Sequence, residues 1–165
     1  SPNRGYGGGI LAGLEITRAP LVGWTHADLQ TPLKDCLHAL SLFTEEVMMV
    51  KGIRINRKPV DKIFSLGMGL LESIIFRTQL VEINAQPKLF SRQFFDSWES
   101  APEDFSLDLY ALVMAKKSDM KVTRFNVSFL ERKFGHSKWN DGLRSRFRFI
   151  IRTLKYSVKL KKVLS

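Results

Sequence analysis

An imidazole, a carboxylate and an amide fall within five residues of one another in Trp24-Thr25-His26-Ala27-Asp28-Leu29-Gln30. The apolar run before them, Ala19-Pro20-Leu21-Val22-Gly23-Trp24, reads as a short buried strand, and Thr31-Pro32 after them as a turn. In an open α/β sheet, ligands bind at the end of such a strand. A carboxylate placed there can hold a hard divalent cation, which in turn can hold a diphosphate. The same residues also suit a plainer role, capping the helix that begins near Pro32. Asp108 falls just inside a second predicted helix behind Ser106, where a carboxylate stabilises the N-terminus by a few tenths to about 1 kcal/mol. Glu103 and Asp104 are the neighbouring acids. Two basic segments, Lys51-Gly52-Ile53-Arg54-Ile55-Asn56-Arg57-Lys58 and Arg132-Lys133-Phe134-Gly135-His136-Ser137-Lys138, read as solvated loops able to meet an anion.

The elements that must position these groups follow from periodicity. Ser1 to Gly9 is a glycine-rich loop whose backbone N–H groups can approach a phosphate at the start of a helix from about Ile10 to Thr17. Leu33, Leu37 and Leu40 recur on one face of a helix from Pro32 to Phe43. Val47 to Val50 is β-prone. Pro59 opens a helix through Phe76 with Ile63, Gly67, Leu70, Leu71 and Ile74 as its apolar stripe. Turn and strand mix over 81–90; helices span 92–98 and 106–117, and Met120 to Phe129 alternates as a strand. From Asp141 one helix runs nearly to the end. Leu143, Phe147, Ile150 or Ile151, Leu154 and Val158 form one row, and Arg144, Arg148, Arg152, Lys155, Lys159 and Lys162 a second. With no acid after Asp141, this helix suits an anionic membrane surface, and equally a core-packed helix with an exposed basic face.

At 165 residues and 44% hydrophobic, the chain can bury one core. The single cysteine, Cys36, excludes an intrachain disulfide, fits a reducing compartment and sits among leucines as a packed thiol. No apolar run is long enough to span a bilayer. The formal charge of +10 calls for an anionic partner. Nucleic acid is set aside because the basic residues follow no nucleic-acid-binding motif.

His26-Ala27-Asp28-Leu29-Gln30-Thr31-Pro32 resembles the Asp-X-Asp signature of family 2 glycosyltransferases, nearest the polyprenyl-phosphate sugar transferase branch, where it usually reads Asp-Ala-Asp-Leu-Gln. Asn3-Arg4-Gly5 through Leu14, Gln86-Pro87-Lys88-Leu89-Phe90, Asp104 through Tyr110 and Arg132 through Asn140 follow in family order, so the resemblance covers nearly the whole chain. It implies an α/β fold: the C-terminal part of a GT-A (Rossmann-like) domain over 1–140, with a mixed sheet flanked by helices, then a basic amphipathic helix over 141–165. It also implies transfer of a sugar from a nucleotide-diphosphate sugar to an acceptor, such as a polyprenyl phosphate or a glycan or lipid precursor, at the cytoplasmic membrane face.

By the same resemblance, Asp28, Gln30 and His26 would hold Mg²⁺ or Mn²⁺. His26 stands where the family has Asp, and an imidazole suits Mn²⁺ better than Mg²⁺. Asp108 would be the base facing the acceptor, unless the acceptor is a phosphate, already ionised, that needs none. Arg54 would contact the acceptor phosphate. Leu66 stands where that branch has a second Arg, leaving Arg57 or Lys62 to compensate. Arg132, Ser137 and Lys138 would lie over the diphosphate and the acceptor. The family's usual N-terminal nucleotide-binding half has no counterpart in this sequence. That leaves a truncated or complemented transferase, or alternatively a noncatalytic remnant that binds membrane or a partner chain. An uncovered sheet edge, and hence self-association, is the expected consequence.

Overall fold

The structure is a computed structural model that describes residues 3–28, 30–46, 48–130 and 143–164. The elements are α1 (Gly5–Ile16), β1 (Leu21–Trp24), α2 (Lys34–Ser41), β2 (Met49–Ile55), α3 (Pro59–Phe76), β3 (Lys88–Ser91), α4 (Arg92–Asp96), α5 (Leu107–Lys117), β4 (Val122–Ser128) and α6 (Leu143–Val163). Among the described residues they build a mixed four-stranded sheet in the order β1-β3-β2-β4. β3 runs antiparallel to both β1 and β2, while β2 and β4 are parallel. β1, β2 and β4 therefore point the same way, and their C-terminal ends share one edge of the molecule. β1 and β4 are the outer strands of this sheet.

Successive residues of a strand face opposite sides, and β2 shows it. Met49 joins Leu11, Leu14, Phe90, Leu107 and Leu112 in the main core, while Val50 joins Ala39, Phe125 and Val127 beneath α2.

Several local expectations change. The glycine-rich segment is helical from Gly5, not a loop to Gly9. Gly7 is there for packing: a Cβ on it would lie 2.6 Å from the Glu103 carbonyl carbon. The Gly8 N–H donates to the Glu103 carbonyl at 2.9 Å, so that donor serves the 102–104 turn rather than a phosphate. Lys51 to Ile55 belong to β2 rather than to a basic loop. Leu33, Leu37 and Leu40 are exposed, Cys36 is half-buried, and Ala39 is the buried residue of α2. Ser106 occupies its N-cap position without a side-chain hydrogen bond. The stripe of α3 faces outward, with Leu70 65% exposed, while Gly69 and Glu72 are buried. Among the described residues of α6, Phe149, Thr153, Ser157 and Leu160 are buried, while Phe147, Ile151 and Val158 are exposed.

Candidate active site at the strand ends

Because β1, β2 and β4 end at one edge, residues far apart in sequence meet there. Beyond β1, Asp28 Oδ1 accepts the Gln30 backbone N–H at 3.2 Å, closing a tight turn. Gln30 is tied to the segment beyond β4: the Leu130 N–H donates to the Gln30 carbonyl at 2.8 Å, and Gln30 Nε2 donates to the Leu130 carbonyl at 3.1 Å. Phe129 then lies between two candidate groups. The His26 ring meets it edge-on at 5.6 Å, and the Arg54 guanidinium lies 5.4 Å from the same ring's centroid. The predicted metal turn and the predicted phosphate-binding Arg54 are thus brought together by one aromatic side chain.

His26 is held below its ordinary pKa, chiefly by burial, with the Asp28 carboxylate opposing, so it stays neutral at pH 7. Its Nε2 is buried and bonds to nothing among the described residues, as do Thr25 Oγ1 and Gln86 Oε1 nearby in sequence and in fold. Buried polar atoms without partners are uncommon in folded proteins.

Arg54 is less free than the sequence implies. Its Nε donates to Glu82 Oε2 at 2.7 Å, and Arg57 Nη1 donates to Glu82 Oε1 at 3.1 Å and to Ser65 Oγ at 2.7 Å. Burial pushes the Glu82 carboxyl up, but Arg54, Arg57 and Lys51 outweigh it and hold it below its ordinary value. Glu82 sits at φ 49, and its carbonyl accepts the fully buried Lys51 Nζ at 2.6 Å, beside the Val81 carbonyl at 3.0 Å. Burial drives the Lys51 pKa well down. Lys51 therefore anchors the bend from which Glu82 grips both arginines. Lys62, the other substitute for the missing Arg, is exposed on α3.

Asp108 lies in the first turn of α5 and is 1% exposed. Oδ1 accepts a hydrogen bond from the fully buried Lys88 Nζ, and Oδ2 accepts the Tyr6 hydroxyl at 2.6 Å. Tyr6 OH in turn accepts Gln86 Nε2 at 2.5 Å, and its ring stacks on Phe105 at 4.4 Å. Burial lowers the Lys88 pKa, with Asp108 opposing. Both oxygens of the predicted base are thus already engaged. Lys88, Tyr6, Glu82 and Lys51 escaped the sequence reading. A lysine inside an apolar strand such as Lys88-Leu89-Phe90 is the only signal that points to a buried ionic partner. A small cavity of about 30 Å³ opens beside Arg54, lined also by Asn84, Phe105, Phe149 and Thr153. Arg132, Ser137 and Lys138 lie outside the described residues, as does the side chain of Arg144.

No family model and no curated protein matches this sequence. Solved structures do. Glucosyl-3-phosphoglycerate synthase from Mycobacterium tuberculosis with UDP aligns over 93% of this chain and 55% of its own, at 19% identity and a TM-score of 0.63. The same enzyme with Mn²⁺, UDP and glucosyl-3-phosphoglycerate aligns with a TM-score of 0.66 at 17% identity over the same shares of both chains. The fold is that of a GT-A glycosyltransferase. The chain spans about half the length of the solved structures it matches. In this GT-A framework the Asp28 turn occupies the carboxyl end of a strand, where open α/β sheets bind ligands. The complex with Mn²⁺ and UDP-glucose aligns over 88% of this chain with a TM-score of 0.57 at 17% identity.

A metal fits the donors present only in part. The described residues hold no group of three or more His, Cys, Asp or Glu side chains arranged for a metal ion. Asp28 and the neutral Nε2 of His26 would supply one hard and one borderline donor, and Gln30 one amide. Such a set suits an ion whose remaining ligands come from a diphosphate.

Proposed function

We propose that this chain carries part of a nucleotide-sugar glycosyltransferase, one that moves a sugar from a nucleoside-diphosphate donor to an acceptor with the help of a divalent ion. The observation that carries the reading is the convergence, within a GT-A fold, of the Asp28 turn, the unpartnered His26 Nε2 and Arg54 around Phe129. Asp28, His26 and Gln30 would hold Mn²⁺ or Mg²⁺, whose charge stabilises the leaving diphosphate. Arg54 adds a guanidinium, a planar fork suited to phosphate oxygens, and Glu82 fixes its direction. Arg132, Ser137 and Lys138 come after β4 and Phe129 in the chain and are proposed to close over the same anion. The ordered motifs favour family 2 and the neighbourhood of its polyprenyl-phosphate branch.

Asp108 enters this reading as a positioning group. Its carboxylate holds Lys88 and Tyr6 in place behind Trp24, whose ring centroid lies 5.4 Å from Lys88 Nζ. With both of its oxygens occupied, the acceptor that suits the site best is one whose attacking oxygen is already anionic, such as a lipid phosphate, for which no proton need be removed. The exposed basic residues Arg148, Lys155 and Lys159 of α6 support peripheral placement at an anionic, cytoplasmic membrane face. Arg152 is also exposed, but its Nε stands 3.7 Å from Asp104.

Calorimetric titration with UDP and GDP, with Mn²⁺, with Mg²⁺ and without metal, tests the proposal. Metal-dependent binding that disappears in Asp28→Ala supports it. Absence of binding under every condition rejects this chain as an independent donor site and favours the remnant reading, in which the GT-A fold serves membrane or partner binding.

A further inference from the structure

The seam between α3 and α6 is closed at its middle by polar side chains rather than apolar ones. Phe64 meets Phe149 at 6.4 Å toward one end, and Leu160 enters the main core toward the other. Between them stand Glu72, Thr153 and Ser157, all buried. The Ser157 hydroxyl faces two acceptors, Glu72 Oε2 at 2.7 Å and the Thr153 carbonyl at 2.9 Å, and has one proton for both. A proton on Glu72 lets both contacts be made at once. Glu72 Oε1 has no partner among the described residues. A carboxyl group shut from water with so little to hold its charge is stable there only when neutral. Burial accordingly raises the Glu72 pKa from 4.5 to about 7, and the Ser157 hydrogen bond opposes it only in part.

The charged and titratable groups on the neighbouring elements are engaged elsewhere or lie in water. On α6, burial raises the Tyr156 pKa, with Tyr110 and Asp104 adding to it, Arg152 stands 3.7 Å from Asp104, and Lys155, Lys159 and Lys161 are exposed. On α5, Asp108 is bound to Lys88, and the Tyr110 hydroxyl donates to the Glu99 carbonyl. Asp61 and Lys62 lie about three turns earlier on α3. Beyond α3, Arg77 is exposed and Glu82 is held by Arg54 and Arg57.

We propose that Glu72 and Ser157 form a pH-sensitive latch: with Glu72 protonated, α6 is clamped to α3, and with Glu72 ionised the seam parts and α6 lifts. α6 is the partner that moves, because α3 is fastened to the chain that follows it. The Leu80 N–H donates to Ser73 Oγ at 2.9 Å, the Thr78 N–H donates to the Ser73 carbonyl at 3.2 Å, and a Cβ on Gly69 would lie 2.8 Å from the Leu80 carbonyl. Two further ties of α6, Arg152 to Asp104 and Lys117 Nζ to the Leu164 carbonyl at 2.9 Å, lie at the surface, where such contacts hold weakly. Lifting would open the cavity beside Arg54, whose walls include Phe64 and Met68 of α3 and Phe149 and Thr153 of α6. The latch is independent of the nucleotide-sugar reading.

Thiol labelling tests it on the whole chain without nucleotide. In a Cys36→Ala background, Thr153→Cys places a reporter in the seam and Val113→Cys one in the core of α5. Each rate is divided by that of the urea-unfolded chain at the same pH, which removes the titration of the thiol itself. With 4.5 for the solvated carboxyl and about 7 for the latched one, the Thr153→Cys rate should rise about tenfold from pH 6 to pH 8.5. Adding Glu72→Gln should leave it flat. At pH 8.5 the seam reporter should also label at least tenfold faster than Val113→Cys, since local opening outruns global unfolding. A rise that persists in Glu72→Gln, or no rise in either protein, overturns the latch. Equal rates at the two reporters overturn it too, because the chain would then open only by unfolding as a whole. Amide hydrogen exchange over residues 149–160 in wild type and Glu72→Gln repeats the comparison without a cysteine in the seam, with the same outcomes deciding.

Discussion

Glu72→Gln should change the pH dependence of stability more than any other single substitution at the α3–α6 seam. Glu72 is fully buried, with Oε2 accepting the Ser157 hydroxyl and Oε1 bonded to nothing among the described residues. Burial raises its pKa from 4.5 to about 7, opposed only in part by the Ser157 hydrogen bond. A folded-state pKa above the unfolded one means that the protonated form is favoured on folding. The stability this lends is complete below the unfolded pKa and is lost as pH rises through the folded one. At about 1.4 kcal/mol per pH unit, the gap corresponds to roughly 3 kcal/mol lost between acidic and mildly alkaline solution. Gln keeps the shape and an acceptor for Ser157 but cannot ionise. Urea unfolding of wild type and Glu72→Gln at pH 5 and pH 8 measures the difference. The two should be close at pH 5, with the variant ahead by roughly 2–3 kcal/mol at pH 8, a shift of order 1 M in the urea midpoint. Parallel pH profiles for the two proteins would refute the reasoning, because the seam would then be carrying an ordinary solvated carboxylate.

The buried ionic groups elsewhere give further tests. Lys88→Met strands Asp108 without its cation and should cost about 3–5 kcal/mol in chemical denaturation, with much of it regained when Asp108→Asn is added. Glu82→Gln should release both Arg54 and Arg57. Because Glu82 is held below its ordinary pKa, its contribution is present above the unfolded pKa near 4.5 and disappears as pH falls through the folded value. The variant should therefore show a shallower acid-side loss of stability than wild type. His26→Ala should lower the preference for Mn²⁺ over Mg²⁺ in UDP titrations, and the His26 imidazole of wild type should remain neutral by NMR at pH values where an exposed histidine is already protonated.

Much of the local structure was legible in the residues themselves. Pro59 at the first turn and the run to Phe76 set both ends of α3, since proline there is preorganised and lacks an N–H that would go unpaired. Leu21 to Trp24 was legible as a strand. What periodicity could not say was which neighbour covers a face. The α3 stripe has helical spacing, yet the face packed inward is the one bearing Gly69 and Glu72, because Leu80 and Ser157 come to meet it from elsewhere in the chain.

The sequence alone determined the kinds of groups at the strand end, the extent of the Pro59–Phe76 helix, the basic last helix and the likeness to a glycosyltransferase, because propensity and capping act over a few residues. Tertiary structure alone decided how those groups are used. Lys51 reads as a loop cation until β2 buries it against the Val81 and Glu82 carbonyls. Asp108 reads as a free acid until Lys88 and Tyr6, 20 and 102 residues away, close on it. Arg54 reads as an open phosphate ligand until Glu82 takes one edge of it. Each of these is an electrostatic pairing in a water-poor interior, where a charge is tolerated only beside its partner, and the partner is chosen by the fold rather than by proximity in the chain.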